Sequence, residues 1–198
     1  MDAGVLHAPG SLVTYEPQVN SDVFGMFQSL VENRPVPWSL LVKDVPPEHH
    51  QDLDYIISML DWDKNVDAEF GTHNKVFPKP VRDSAEMAAD GYSEMWITYG
   101  TAWYSAKELT VKPGRSVVIR DAAAHGVILT QGHGRMGALD VETPAMIRFG
   151  ELTRDEVFVT APAAAAGVKI TNTSETENLV MLKHFGPGNP DAAALVTR

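Results

Sequence analysis

The stretch Asp121-Ala122-Ala123-Ala124-His125-Gly126-Val127-Ile128-Leu129-Thr130-Gln131-Gly132-His133-Gly134-Arg135-Met136-Gly137 decides how this chain is read. It opens as a loop with a polar side chain and continues as a short apolar strand. It then turns at Gly-His-Gly into a return strand. Gly132 and Gly134 suit a tight turn, because glycine reaches positive φ without steric cost. His125 starts the strand. Side chains alternate along a strand, so Val127, Leu129 and Gln131 share the face of His125. That face is expected to turn into whatever the strand encloses.

Outward from this stretch, β-like runs continue on both sides. They are Met95 to Tyr99, Ala106 to Val111, Ser116 to Arg120, Gly126 to Gln131, Arg135 to Val141, Ala145 to Phe149, Glu156 to Thr160, Val168 to Asn172 and Leu179 to Phe185. Gly100, Pro113-Gly114, Asp121, Gly132, Pro144, Gly150, Pro162, Gly167 and Ser174 break them. Short strands at near-even spacing, without intervening helices, predict a sandwich or barrel over 92–187. The alanine-rich run Ala161 to Ala166 contains Pro162 and reads as a turn. Residues 188–198 read as a tail or a small closing helix.

Residues 1–91 follow a different period and read as an arm with two helices. Ser21 can cap a helix whose positions Val23, Met26, Phe27, Leu30 and Val31 trace one face, ended by Pro35 and Pro37. Trp38 to Val42 reads as strand or extended chain. Pro46 and Pro47 open a second helix that buries Leu53, Ile56, Ile57 and Leu60 and leaves Asp52, Asp54 and Asp61 outside. His50 and Asp54, beside His49, read as a solvated first turn rather than as a metal pair, although their spacing is one that two ligands of a shared metal could have. Asp61-Trp62-Asp63 and Lys64-Asn65-Val66-Asp67 read as capping and turn chemistry. His73 reads equally as a loop residue and as one lying across the mouth of the following domain.

The chain has 198 residues, a formal net charge of −10 and no cysteine. That length suits one generous domain or a small domain with an appended element. The missing thiols exclude disulfides, thiolate nucleophiles and cysteine-ligated zinc. The acidic balance argues against nucleic acid and anionic lipid as partners. No run approaches the roughly 20 apolar residues of a membrane span. No basic stretch precedes an apolar one at the start, so a signal peptide is not expected. These features predict a cytoplasmic protein acting on a small molecule, with no nucleic-acid and no membrane partner. Apolar faces on the N-terminal helices beyond what one barrel needs predict a homodimer.

The order of motifs in the second part resembles the cupin superfamily. Lys112-Pro113-Gly114 precedes a strand, and His125 stands seven positions ahead of Gly132 in the Gln-Gly-His-Gly turn. Two strands later comes Gly167-Val168-Lys169-Ile170-Thr171-Asn172-Thr173-Ser174, followed by a last apolar strand. The resemblance covers roughly 92–187 and implies a mainly β, cupin-like antiparallel jelly-roll barrel carrying an N-terminal helical arm. Many cupins hold a divalent metal through two histidines, a glutamate and a third histidine. Here His125 stands where the glutamate is usual. The His-x-His pair would fall at Val118 and Arg120 or at Ile119 and Asp121, and the last histidine near Gly167 or Val168. The resemblance therefore implies either a metal-free barrel or a metal (Fe, Mn, Ni or Zn) held by substitutes.

Several residues remain as site candidates. His125 is the candidate catalytic acid/base, because an imidazole titrates near neutral pH. Lys183 and His184 are adjacent on the last strand, so one faces in and the other out. An inward His184 could join His125 as a metal-ligand pair, and an inward Lys183 would give the interior a cation. Arg120, Gln131, Lys183 and His184 are the candidate substrate-binding residues. Glu108, Arg120 and Arg148 need partners if they point inward. His133 reads as a rim residue, and Trp96, Trp103 and Tyr104 as core or pocket wall. Glu151 with Asp155 is a further oxygen pair without a neighbouring histidine. Phosphate loops of the Walker type, Gly-x-Ser-x-Gly elbows and His-Glu-x-x-His helices do not occur.

The cupin resemblance implies a small polar metabolite in the barrel. It makes an isomerase or epimerase acting on a sugar or a hydroxy or keto acid the leading expectation. The alternatives are a metal-dependent oxygenase or lyase with an altered ligand set, drawing on His125, His184 and His73 or His50, and a non-catalytic ligand-binding domain.

Overall fold

The computed structural model describes residues 5, 30–31, 33–193 and 195. The chain divides into two compact units, Met1–Lys75 and Val76–Arg198. Among the described residues no helix is long and apolar enough to cross a membrane.

In the first unit a two-residue ladder pairs β1 (Leu30–Val31) with β2 (Arg34–Pro35). Leu30 and Val31 are thus strand, not the end of the expected helix, whose remaining positions from Ser21 lie outside the described residues. Trp38–Leu41 is helical (α1) rather than extended. The expected second helix is broken. A 3-10 turn covers Pro47–His49 and α2 covers only Leu53–Ser58, capped by Asp52, whose carboxylate accepts from the Tyr55 N–H at 3.0 Å. The shortening follows from that cap, which starts the helix at Leu53. The break turns Leu53 and Ile57 outward, whereas Ile56 packs with Val42 and Val45. Asp61 caps α3 (Trp62–Asn65) as expected, and α4 (Phe70–His73) follows.

The second unit begins with β3 (Lys79–Pro80) and α5 (Ser84–Asp90). It therefore extends back beyond the expected start at Tyr92, because β3 pairs with β4 (Tyr92–Thr98). The other strands are β5 (Ser105–Val111), β6 (Ser116–Ile119), β7 (His125–Gln131), β8 (His133–Met136), β9 (Leu139–Glu142), β10 (Glu156–Val159), β11 (Val168–Asn172) and β12 (Leu179–Phe185). They form two antiparallel sheets, of order β10-β7-β12-β5-β4-β3 and β6-β11-β8-β9. Arg135 to Val141 is two strands, because Gly137, at φ 60°, turns the chain between them. Ala145 to Phe149 forms no strand, and Ala161–Ala166 is a helix (α6) with Pro162 in its first turn, where proline is tolerated. A short α7 (Pro190–Ala193) follows the last strand.

The Gly-His-Gly stretch is a corner rather than a hairpin tip. β7 lies in the larger sheet and β8 in the smaller, so the chain changes sheets at Gly132. Gly132 has φ 85°, and a Cβ there would stand 2.4 Å from the Asn178 carbonyl oxygen. Asn172 holds the nearby turn. Its amide donates to the Val111 and Glu177 carbonyls at 2.9 and 2.8 Å and accepts from the Ser174 N–H at 2.9 Å. The two sheets enclose Leu109, Val111, Val117, Ile119, Val127, Leu129, Met136, Ile170, Leu179 and Met181.

Candidate functional site

Strand alternation sends a second, polar set of side chains to the same interior. β4 turns Glu94 and Trp96 inward, β5 turns Ser105 and Lys107, β7 turns His125, and β12 turns Lys183 and Phe185. All of these are buried, with Lys107 and Lys183 each only 1% exposed. Lys107 and Lys183 are direct cross-strand partners. Like charges placed so are mutually destabilising. The loop between β6 and β7 supplies the counter-charge. Asp121 accepts from Lys107 Nζ at 2.7 Å through Oδ1, and its Oδ2 lies 2.6 Å from Lys183 Nζ. Lys183 also donates to Glu94 Oε1 at 2.6 Å. Two ammoniums and two carboxylates thus balance inside the barrel.

His125 lies beside this network. Its Nδ1 is 3.1 Å from the Ala123 carbonyl oxygen. A carbonyl can only accept, so Nδ1 carries the proton and a neutral ring leaves Nε2 as a free lone pair. Nε2 stands 3.7 Å from Asp121 Oδ2. Burial pushes the imidazole below its ordinary value, the lysines add to this, and the Ala123 bond and Asp121 oppose it. Burial works to raise the Asp121 carboxyl, but Lys183 and Lys107 hold it below the usual carboxylate range. Aromatic rings wall the cluster. Lys107 Nζ sits 4.5 Å from the Trp96 ring centroid, and the His125 and Phe185 centroids are 4.8 Å apart.

The structure brings together only part of the expected set. His125 and Lys183 are inside. His184 stands opposite Gly126 in the ladder, on the other face from His125, so these two histidines cannot share a metal. Arg120 and Gln131 are exposed, at a strand end and at the sheet-changing corner. Glu108 and Arg148 are exposed as well, so neither needs an interior partner. His50 Nε2 donates to the Val45 carbonyl at 2.8 Å, and His73 Nδ1 lies 2.6 Å from Asp67 Oδ2. Both histidines belong to the first unit. Trp96 is core, whereas Trp103 is 76% exposed. Asp155 accepts from Thr153 Oγ1.

Glu94, Lys107 and Asp121 complete the interior cluster and were not among the expected site residues. For Lys107 a signal existed. Counting by twos from Leu109 and Val111 places it on the buried face of a strand.

The donors do not fit the divalent metal that many cupins carry. Both Asp121 oxygens already face an ammonium, and Glu94 is taken by Lys183. A cation would have to enter beside two like charges. Among the described residues no three His, Asp or Glu side chains are grouped to hold a metal.

No protein-family model matches the chain, and no curated protein does. Among solved structures, it is similar to a cupin 2 conserved barrel domain protein from Rhodopseudomonas palustris, at 20% identity, over 62% of this chain and 74% of that one, with a TM-score of 0.37. It is similar to a cupin-2 domain from Rhodospirillum rubrum at 16% identity, over 48% of this chain and 60% of that one, with a TM-score of 0.34. The polyketide cyclase RemF from Streptomyces resistomycificus matches at 10% identity, over 50% of this chain and 68% of that one, with a TM-score of 0.36. No residue role passes from these partial superpositions to this chain. By its own two antiparallel sheets and the order of their strands, the Val76–Arg198 unit is an antiparallel jelly roll.

Proposed function

We propose that the barrel binds a small polar metabolite and moves a proton on it without a metal, as an isomerase or epimerase of a hydroxy or keto acid or a sugar does. The reading is carried by one observation, the convergence of Lys107, Lys183, Asp121 and His125 in a water-excluded interior. With Nδ1 committed to Ala123, Nε2 is the proton acceptor, and the depressed pKa keeps it unprotonated at neutral pH. The imidazolium formed by proton abstraction gains the Asp121 carboxylate as a partner. The ammoniums of Lys107 and Lys183 are placed to stabilise negative charge on a carbonyl oxygen next to the carbon that loses its proton. Exchange tests this reading. Hydroxy acids, keto acids and sugars are incubated with the protein in deuterium oxide, with a chelator present. Deuterium is expected at a carbon-bound position of one of them and is expected to be lost in His125→Gln. Chelator-sensitive exchange would remove the metal-free reading.

A second reading, ligand binding without catalysis, is favoured by the saturation of the cluster, since each lysine is already ion-paired. Ligand-induced thermal stabilisation without deuterium incorporation would select it. A homodimer belongs to the same proposal. The bare side chains of Ile147, Phe149 and Leu152, and of Phe158 on the edge strand β10, support it. Light scattering is expected to give twice the chain mass, and Phe149→Asp with Phe158→Asp to give the single-chain mass.

A further inference from the structure

The charged cluster touches one more carboxylate, and it is held differently from the others. Asp191, in α7, has Oδ2 at 3.8 Å from Lys107 Nζ and at 3.3 Å from the Ala122 N–H, which donates to it. Its side chain is 42% exposed, against 2% for Asp121. Asp121 is gripped at 2.6–2.7 Å by two ammoniums, whereas Asp191 is held loosely by one ammonium and one amide. Asp121 and Glu94 already balance the two lysines, so Asp191 is surplus to the neutrality of the cluster. The chain reaches it from a fixed point. Asn189 is buried, donates to Ser105 Oγ at 3.2 Å, and accepts the Asp191 N–H at 3.1 Å. Beyond this anchor lies the four-residue helix α7.

We propose that Asp191 is a built-in occupant of a carboxylate subsite formed by Lys107 Nζ and the Ala122 N–H. A small carboxylate ligand takes its place when α7 swings outward from Asn189. This rests on the reading of the barrel as a metabolite site. It names the substrate class within that reading as a hydroxy or keto acid rather than a neutral sugar. An ammonium and a backbone N–H aimed at one oxygen are the donors a carboxylate needs. Asp191 supplies that same oxygen and closes the site until the ligand displaces it. The apparent affinity of the resting protein is lowered by the fraction of molecules in which Asp191 holds the subsite.

The test compares the full chain with Asp191→Asn and Asp191→Ala, the second guarding against a local folding defect in the first. The probes are lactate and pyruvate, with lactamide and glucose as uncharged controls. Binding is followed through the Ala122 amide resonance and the amide protection of residues 191–193. Both variants are expected to bind a carboxylate probe more tightly than the natural chain, by up to about fivefold, the scale of one partly exposed ion pair. Lactamide is expected to gain nothing, and the carboxylate probe to lower the protection of 191–193 in the natural chain. Equal carboxylate affinity in all three chains would overturn the inference and leave the metabolite reading standing. Glucose binding without carboxylate binding would do the same. If none of the probes bound any of the chains, the carboxylate subsite would be refuted. The wider metabolite reading would then rest on the exchange experiment alone.

Discussion

The larger sheet of the barrel shows one inner face with two chemistries. Along β5 the inward residues are Ser105, Lys107, Leu109 and Val111, and along β12 they are Phe185, Lys183, Met181 and Leu179, in register with them. One end is closed by aliphatic packing. The other holds two lysines, two carboxylates and an imidazole at nearly the same depth. The backbone is identical in kind at both ends, so period-2 alternation decides which residues enter the barrel and not what they do there. The apolar end gains by leaving water. The charged end must recover a large desolvation cost by pairing, which makes each of its members conditional on the others.

That conditionality gives the largest expected effect. Asp121→Ala leaves Lys107 and Lys183 facing each other in the interior. It is expected to lower unfolding free energy by about 3–5 kcal/mol in urea titrations. Replacing the whole cluster by Glu94→Met, Lys107→Met, Asp121→Leu and Lys183→Met together is expected to restore that loss and to add up to about 1–4 kcal/mol, while deuterium exchange into the ligand disappears. A quadruple variant less stable than Asp121→Ala would break the comparison, because the charges would then be holding the fold rather than serving a ligand. Leu109→Ala, one step along β5 from Lys107, makes a cavity in the apolar end. It is expected to cost about 2–5 kcal/mol and to leave exchange at 25 °C intact. If it abolished exchange in still-folded protein, the two ends would not be separable.

The sequence was legible where one local pattern had one outcome. Val168–Asn172 and Leu179–Phe185 are strands with the bounds that their alternation and flanking breakers predict. His125 was placed inside by the same alternation. The reading failed where tertiary context chose between local options. Ala161–Ala166 became a helix because Pro162 falls in a first turn, where its missing N–H costs nothing. Ala145 to Phe149 has the composition of a strand but forms none, and its side chains Met146, Ile147 and Phe149 are exposed. The cluster itself was half visible. Lys183 is a candidate by its strand position, whereas Asp121 reads as a polar loop residue, a strand breaker and a place where a ligand histidine is missing. Its role depends on a loop that brings it between two strands far from it in sequence, which no spacing encodes.

The smallest effect separates the two ends by pH. Burial holds the His125 ring below its ordinary value, so the unfolded chain takes up the proton more readily than the folded one. Stability from the neutral ring is full above about pH 6.5 and declines as the pH falls below it. His184, also lowered by burial, adds to the same limb from the other face of the sheet. Asp121 behaves as a depressed carboxylate. Its contribution is full above its ordinary value of 3.8 and is lost as the pH falls through the lower folded value. Urea unfolding from pH 8 to pH 3 is therefore expected to show two declining limbs. His125→Gln is expected to flatten part of the upper limb, since His184 remains, and to leave the lower one in place. Leu109→Ala carries no titrating group, so its curve is expected to run parallel to that of the natural chain at every pH. A steeper upper limb in His125→Gln would mean that the ring keeps its proton when folded, with Asp121 as its counter-ion. His125 would then be an acid rather than a base, and the charged end would have to be reassigned.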